Sequence, residues 1–156
     1  MDWDLFMNIY IVFWLFILGS VMGRFLDCIA FRYVNGQSFV KGRSHCDKCG
    51  HVLGPKDLIP IFSFLASKGK CRYCNQNIPK ECFWSEIFTA VIFSVIGLKI
   101  GISLELIMYI IFCCFLIAIT IIDWKIHIIP DMAVIGIIVN RLIFLSFKTV
   151  FLLKHF

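Results

Sequence analysis

The chain has 156 residues, 60% of them hydrophobic, and a mean hydropathy of +0.90. A soluble domain of this size keeps too many residues near its boundary to hide that much apolar surface, so a bilayer is the medium that solvates the excess. The net charge of +5 does not indicate nucleic acid, because eight of the fifteen Lys and Arg fall between residues 41 and 80 against two acids, Asp47 and Asp57; a basic loop between apolar runs marks the cytoplasmic side of a membrane protein.

Asp2 and Asp4 stand where a cleavable signal would carry positive charge, so the first apolar run reads as a retained anchor. Its nineteen uncharged residues, 5–23, span roughly 28 Å as a helix, enough to cross a hydrocarbon core of about 30 Å. Arg24 and Arg32 follow the run, which puts the N-terminus outside and the next segment inside. Asp27 lies between these two arginines and is expected to pair with them locally. Residues 33–82 form a polar insert that holds three of the four prolines and half of the ten glycines. Glu86 opens the second apolar run, 87–98, where its charge would complement the helix dipole, and Phe83 and Trp84 extend that run at the interface. After a polar break at 99–105 comes a third uncharged run, 106–122. Pro130 stops or kinks the chain before a fourth run, 132–147, and Asp131 is expected to cap the helix that follows. The expected fold class is therefore an all-α integral membrane protein of about four transmembrane helices, with a cytoplasmic four-cysteine, zinc-ribbon-like insert. Counting crossings puts Asp123, at the end of the third run, on the same membrane face as the insert.

Two pairs in the insert, Cys46 with Cys49 and Cys71 with Cys74, are C-x-x-C motifs separated by 21 residues. Each pair lets two thiolates converge on one ion, and two pairs supply the tetrahedral four-sulfur set that zinc favours. Gly50 and Asn75 directly follow the pairs and tolerate the left-handed turns such knuckles need. The competing readings are two redox pairs or four unrelated buried thiols. A closed four-cysteine site has no open coordination position and would act structurally, folding a loop that has little core of its own. His45 and His51 flank the first pair and are bystanders when four thiolates are at hand. Cys28, Cys82, Cys113 and Cys114 receive no role.

Asp123 follows seventeen uncharged residues and so lies at or just inside the bilayer boundary. An ionisable residue there is costly, which makes it a functional candidate suited to acid/base work. The plainer reading is that Asp123, Lys125 and His127 simply begin a polar loop.

These motifs occur together in one family. The chain resembles the bacterial type IV prepilin peptidases through Gly19-Ser20, Phe25-Leu26 and Arg32, then Arg43-Ser44-x-Cys46-x-x-Cys49. The likeness continues through Asp57-Leu58-Ile59-Pro60-Ile61-Phe62-Ser63-Phe64-Leu65, then Gly69-Lys70-Cys71-Arg72-Tyr73-Cys74 and Ile78. It ends with Glu86 and the D-x-x-x-x-x-I-P-D segment from Asp123 to Asp131. The resemblance implies an aspartic endopeptidase of the bacterial inner membrane that cleaves the short basic leader from prepilins and pseudopilins at the cytoplasmic face. It further implies N-methylation of the new N-terminus by S-adenosylmethionine, Asp123 as the first catalytic carboxylate, and Cys46, Cys49, Cys71 and Cys74 as zinc ligands. The divisions that follow are 1–32, a first transmembrane segment; 33–86, the zinc-binding insert; and 87–156, the first part of the membrane peptidase domain. The chain departs from the family pattern at Asp27 or Gly23, where Asn is usual, at Asp47, where Pro is frequent, and at residues 80–84. The family's second catalytic aspartate lies in a G-x-G-D motif, and this sequence contains none. The expectation is a polypeptide with one half of the catalytic pair, for which Asp131 is a poor substitute. It is then a truncated peptidase, a half-enzyme completed by a second chain, or a non-catalytic zinc-ribbon membrane protein that binds prepilins or assembly partners.

Overall fold

A computed structural model describes residues 3–36, 44–46 and 48–154. Asp2, Lys41, Arg43 and Asp47, which entered the charge count or the motifs above, lie outside the described residues. The described residues form helices α1 (Trp3–Val34), α2 (Phe62–Ala66), α3 (Lys80–Ile100), α4 (Leu104–Ile126) and α5 (Asp131–Lys154), with a short 3₁₀ turn at Pro55–Asp57 and no strand. Four of the helices are long and apolar enough to cross a membrane. Large apolar side chains such as Phe6, Phe88, Trp124 and Met132 point outward and are exposed. Water does not sustain such a surface, whereas lipid does, and the chain is a membrane protein.

The helices run past the apolar runs that announce them. α1 continues eleven residues beyond Gly23 to Val34, because Arg24 and Asp27 find partners on α3 instead of ending the helix. α3 stops at Gly101, whose positive φ of 69° closes the last turn through a hydrogen bond from its N–H to the Gly97 carbonyl. The Ser103 hydroxyl then accepts the Leu106 N–H and starts α4. α4 ends at His127, which takes the left-handed conformation and donates its N–H to the Asp123 carbonyl.

α1 and α3 are antiparallel and share the largest interface; α4 packs on both, and α5 packs chiefly on α4. Leu15, Phe93 and Leu106 form the buried centre where α1, α3 and α4 meet. Small residues set the α1–α3 approach. A Cβ on Gly19 would lie 2.6 Å from the Ala90 Cα, and one on Gly23 would lie 2.9 Å from the Glu86 Cα. Four-residue spacing puts both glycines on one face of α1, so the two backbones touch, as membrane helices do where hydrophobic driving force is absent.

Gly19→Ala therefore forces the helices apart, and thermal unfolding in detergent should show a loss of roughly 1–3 kcal/mol. Gly54→Ala serves as the reference, since its added carbon meets only the Asp57 carboxylate, at 3.6 Å, and its unfolding midpoint should stay at the wild-type value.

Candidate functional site

The insert is built from two knuckles of the same design. In the first, the Cys46 N–H donates to the His51 carbonyl at 2.9 Å and the Gly50 N–H returns to the Cys46 carbonyl at 2.8 Å. In the second, the Cys71 N–H donates to the Gln76 carbonyl at 2.8 Å and the Asn75 N–H returns to the Cys71 carbonyl at 2.9 Å. Gly50 and Asn75 both have positive φ, 69° and 56°, and each knuckle is closed by one antiparallel bridge, His45 with Val52 and Lys70 with Asn77. The turns aim all four sulfurs at one point. The Sγ atoms of Cys46, Cys49, Cys71 and Cys74 lie within 4.8 Å of one another, and those of Cys46 and Cys74 are 3.8 Å apart. A tetrahedron of sulfurs about 2.3 Å from a central zinc has edges of about 3.8 Å. The donor set therefore fits one metal ion, with zinc-compatible chemistry and spacing.

The thiols themselves are unequal. Backbone N–H groups of Cys49 and Lys48 point at the Cys46 sulfur and pull its thiol down to about 7, against opposing desolvation. The Gln76 N–H favours the Cys74 thiolate, but desolvation and the sulfurs of Cys71, Cys49 and Cys46 outweigh it and push that thiol up to about 12. Four thiolates at this spacing need a cation between them. His51 is turned to another use, its ring packed 3.5 Å from that of Tyr73.

A second polar centre fixes the insert to the membrane helices. The Arg24 Nε donates to Glu86 Oε1 at 2.6 Å, with Glu86 fully buried. The other carboxylate oxygen, Oε2, accepts the Ile61 N–H at 2.6 Å. Arg24 also donates to the Asp57 carbonyl at 3.1 Å and to the Ser63 hydroxyl at 3.4 Å. The Asp57 side chain carries the connection onward: it accepts from the Gly54 N–H at 3.2 Å and the Tyr73 hydroxyl at 3.4 Å, and pairs with Arg72 at 3.4 Å. Phe64 of α2 stacks on Phe83 of α3, with ring centroids 4.7 Å apart.

Several sequence expectations change here. Glu86 is not at the start of α3 but two turns inside it, so it serves the ion pair and the Ile61 amide instead of the helix dipole. The Asp27 carboxylate reaches beyond its own helix and accepts from the Ser85 hydroxyl across the α1–α3 interface, while Arg24 makes its ion pair with Glu86. Asp131 is the first residue of α5 and not its cap: the Pro130 carbonyl accepts the Ala133 N–H at 3.0 Å and closes the first turn. Asp123 lies within the final turn of α4 and is exposed, so it does not begin a loop. Two residues later, the Lys125 Nζ sits 5.7 Å from the Phe31 ring of α1. The end of α4 that bears Asp123 is thus the end at which the insert leaves α1 and returns to α3. The anchoring roles of Arg24 and Glu86 escaped the sequence reading, although one signal was present: opposite charges bounding two apolar runs that crossing counts put at the same face.

The family model described as the bacterial peptidase A24 N-terminal domain matches residues 17–100. The chain belongs to this family. The prepilin leader peptidase/N-methyltransferase of Bacillus subtilis (strain 168) is 38% identical over 117 residues, which cover 75% of this chain and 47% of the relative. The Myxococcus xanthus (strain DK1622) protein of the same name is 34% identical over 116 residues, 74% of this chain and 35% of the relative. The type 4 prepilin-like proteins leader peptide-processing enzyme of Escherichia coli O78:H11 is 29% identical over 143 residues, 80% of this chain and 53% of the relative. The chain thus spans about a third to a half of the length of these relatives. No solved structure matches it. The matched stretch of this prepilin-peptidase kin contains Arg24, Glu86 and all four knuckle cysteines, and Asp123 lies beyond it.

Arg24→Met leaves the buried Glu86 without its cation, and removal of one partner from a buried pair costs about 3–5 kcal/mol. Unfolding of the purified protein in detergent should register a loss of that order. Lys56→Met, which changes an exposed cation of the same insert, should leave the midpoint within about 0.5 kcal/mol.

Proposed function

We propose that this chain acts in prepilin leader cleavage, as the N-terminal, cysteine-bearing part of a membrane aspartic peptidase to which it contributes Asp123. The observation that carries the reading is the meeting at one end of the bundle of the α4 turn bearing Asp123, the C-terminal part of α1, and the attachment of the insert. In a family of prepilin leader peptidases, that end is the cytoplasmic face of the bacterial inner membrane, with the N-terminus outside. Residues 1–32 serve as the first transmembrane segment, 33–86 as the zinc insert, and 87–156 as the first part of the peptidase domain.

Peptide hydrolysis by carboxylates needs two of them around one water. One accepts a proton as the water attacks, and the other donates a hydrogen bond to the scissile carbonyl. Asp123 supplies one. The other, which the resemblance assigns to a G-x-G-D segment, comes from outside these 156 residues. An exposed Asp123 at a helix end leaves room for a substrate peptide and a second carboxylate to approach. Methylation of the new N-terminus with S-adenosylmethionine belongs to the same reading, by resemblance.

Zinc bound by Cys46, Cys49, Cys71 and Cys74 would cross-link the two knuckles and, with all four positions taken by thiolates, leave the bond chemistry to the carboxylates. Elemental analysis should find one zinc per chain in the wild type and none in Cys46→Ser. Zinc uptake should release protons and weaken as pH falls, because the ligands bind as thiolates. A folded wild-type protein free of metal after growth with zinc overturns the assignment.

The catalytic role is tested by reconstituting the chain with a source of the second carboxylate and a prepilin. Asp123→Asn should slow leader cleavage roughly 10²–10⁴-fold, and Asp131→Asn should not. Unchanged cleavage by Asp123→Asn sinks the assignment, and efficient cleavage by this chain alone sinks the shared pair.

A further inference from the structure

The loop between the first knuckle and α2 does not stay with the rest of the insert. A groove of about 440 Å³ has Ile17, Ser20 and Val21 of α1 on one wall and Leu58, Ile59 and Phe62 on the other. Those α1 residues precede Arg24 by three to seven positions, or roughly 4–11 Å along the helix axis toward the middle of the apolar run. The chain therefore leaves α1, builds the first knuckle, and comes back to lie beside the membrane-spanning part of α1.

The side chains it carries suit that depth. Ile59 is 49% exposed, Phe62 73% and Leu65 59%. In water, three large apolar side chains on so small an insert would be a liability; against lipid they need no cover. The Ser20 hydroxyl, on the groove wall, donates to the Ile17 carbonyl of its own helix at 2.8 Å and brings no open polar group there.

The backbone accounting points the same way. Irregular backbone at membrane depth persists only where the protein itself satisfies its polar groups. Most of the loop's polar groups are met in this way: Glu86 takes the Ile61 N–H, Arg24 serves the Asp57 carbonyl, and Pro60 has no N–H to satisfy. The Ile59 and Ile61 carbonyls accept from the Ser63 and Leu65 amides, each at 3.0 Å. A loop bathed in water would have no need of a fully buried glutamate and its half-buried arginine for this purpose. Lys56, Lys68 and Lys70 flank the loop and are exposed, where they can meet anionic headgroups.

We propose that the Leu58-Ile59-Pro60-Ile61-Phe62 loop is a membrane-inserted element that dips into the leaflet on the insert side, that phospholipid acyl chains fill its groove with α1, and that the Arg24–Glu86 pair is what lets its backbone enter. The inference rests on the membrane character of the chain and stands whether or not the chain takes part in cleavage.

Hydroxyl-radical footprinting of the wild-type chain in phosphatidylethanolamine/phosphatidylglycerol liposomes tests it without any substitution. Oxidation at each residue is normalised to that of the unfolded chain. Phe62 is more open than Tyr73, at 73% against 53%, so a loop in water oxidises more at Phe62. Insertion predicts the reverse, with Phe62 and Leu65 protected at least several-fold relative to Tyr73. Equal or greater labelling of Phe62 overturns the proposal. A photoreactive benzophenone residue at position 62 then identifies the cover. It should form phospholipid adducts, and the same residue at position 52, on the first knuckle, should form none. Cross-links from position 62 to another polypeptide instead of lipid, or equal lipid adducts at both positions, overturn it as well.

Discussion

The fold depends on one buried carboxylate. Glu86 has no exposed surface, and a carboxylate taken out of water is tolerable only with a cation and hydrogen bonds at its oxygens. Both are supplied: Arg24 from α1 holds one oxygen and the Ile61 amide from the insert holds the other. Three pieces of chain distant in sequence are thereby tied to one side chain. The tie also explains an unfavourable backbone. Ile61 is β-branched yet has a φ of +59°, a conformation that costs about 1–3 kcal/mol and persists where its surroundings over-determine it. The Glu86 hydrogen bond is one of those determinants.

The pair forms because the helices that carry it are close. Gly19 and Gly23 let the α1 backbone rest on Ala90 and Glu86, and that contact places the Arg24 side chain, one residue on, within 2.6 Å of the carboxylate. Bulk at either glycine would separate the helices and stretch the ion pair, so the packing and the electrostatics of the insert are a single constraint. At its far end the insert is gathered by the four sulfurs. Asp57 joins the two fastenings: its carbonyl accepts from Arg24, and its carboxylate meets Tyr73 and Arg72 inside the second knuckle.

Local patterns were legible in the sequence and distant pairings were not. The first and third spans could be read because uncharged runs of nineteen and seventeen residues are long enough to cross a bilayer. The knuckles could be read because C-x-x-C followed by Gly50 or Asn75 encodes its own turn. The helix ends were read too short, since charges that look like terminators become interior residues when partners reach them: Arg24 is satisfied by Glu86, 62 positions away, and Asp27 by Ser85, 58 away. No periodicity carries that information. Asp131 stands one position inside the expected cap for a smaller reason, because the Pro130 carbonyl accepts the Ala133 and Val134 N–H groups and closes the first turn.

The same geometry separates the two aspartates that flank the turn between α4 and α5. Asp131 lies in the first turn of α5, where the positive end of the helix dipole favours a carboxylate; its presence is accounted for by stability. Asp123 lies in the last turn of α4, where the dipole is negative and a carboxylate is disfavoured. Lys125, also in that turn, offsets part of the penalty, but its ammonium is drawn over Phe31 of α1. A carboxylate kept exposed at the unfavourable end of a helix is not explained by the helix, and chemistry done by that carboxylate would explain it. This supports the proposal that Asp123 is the reacting carboxylate, while Asp131 is accounted for by the helix it begins.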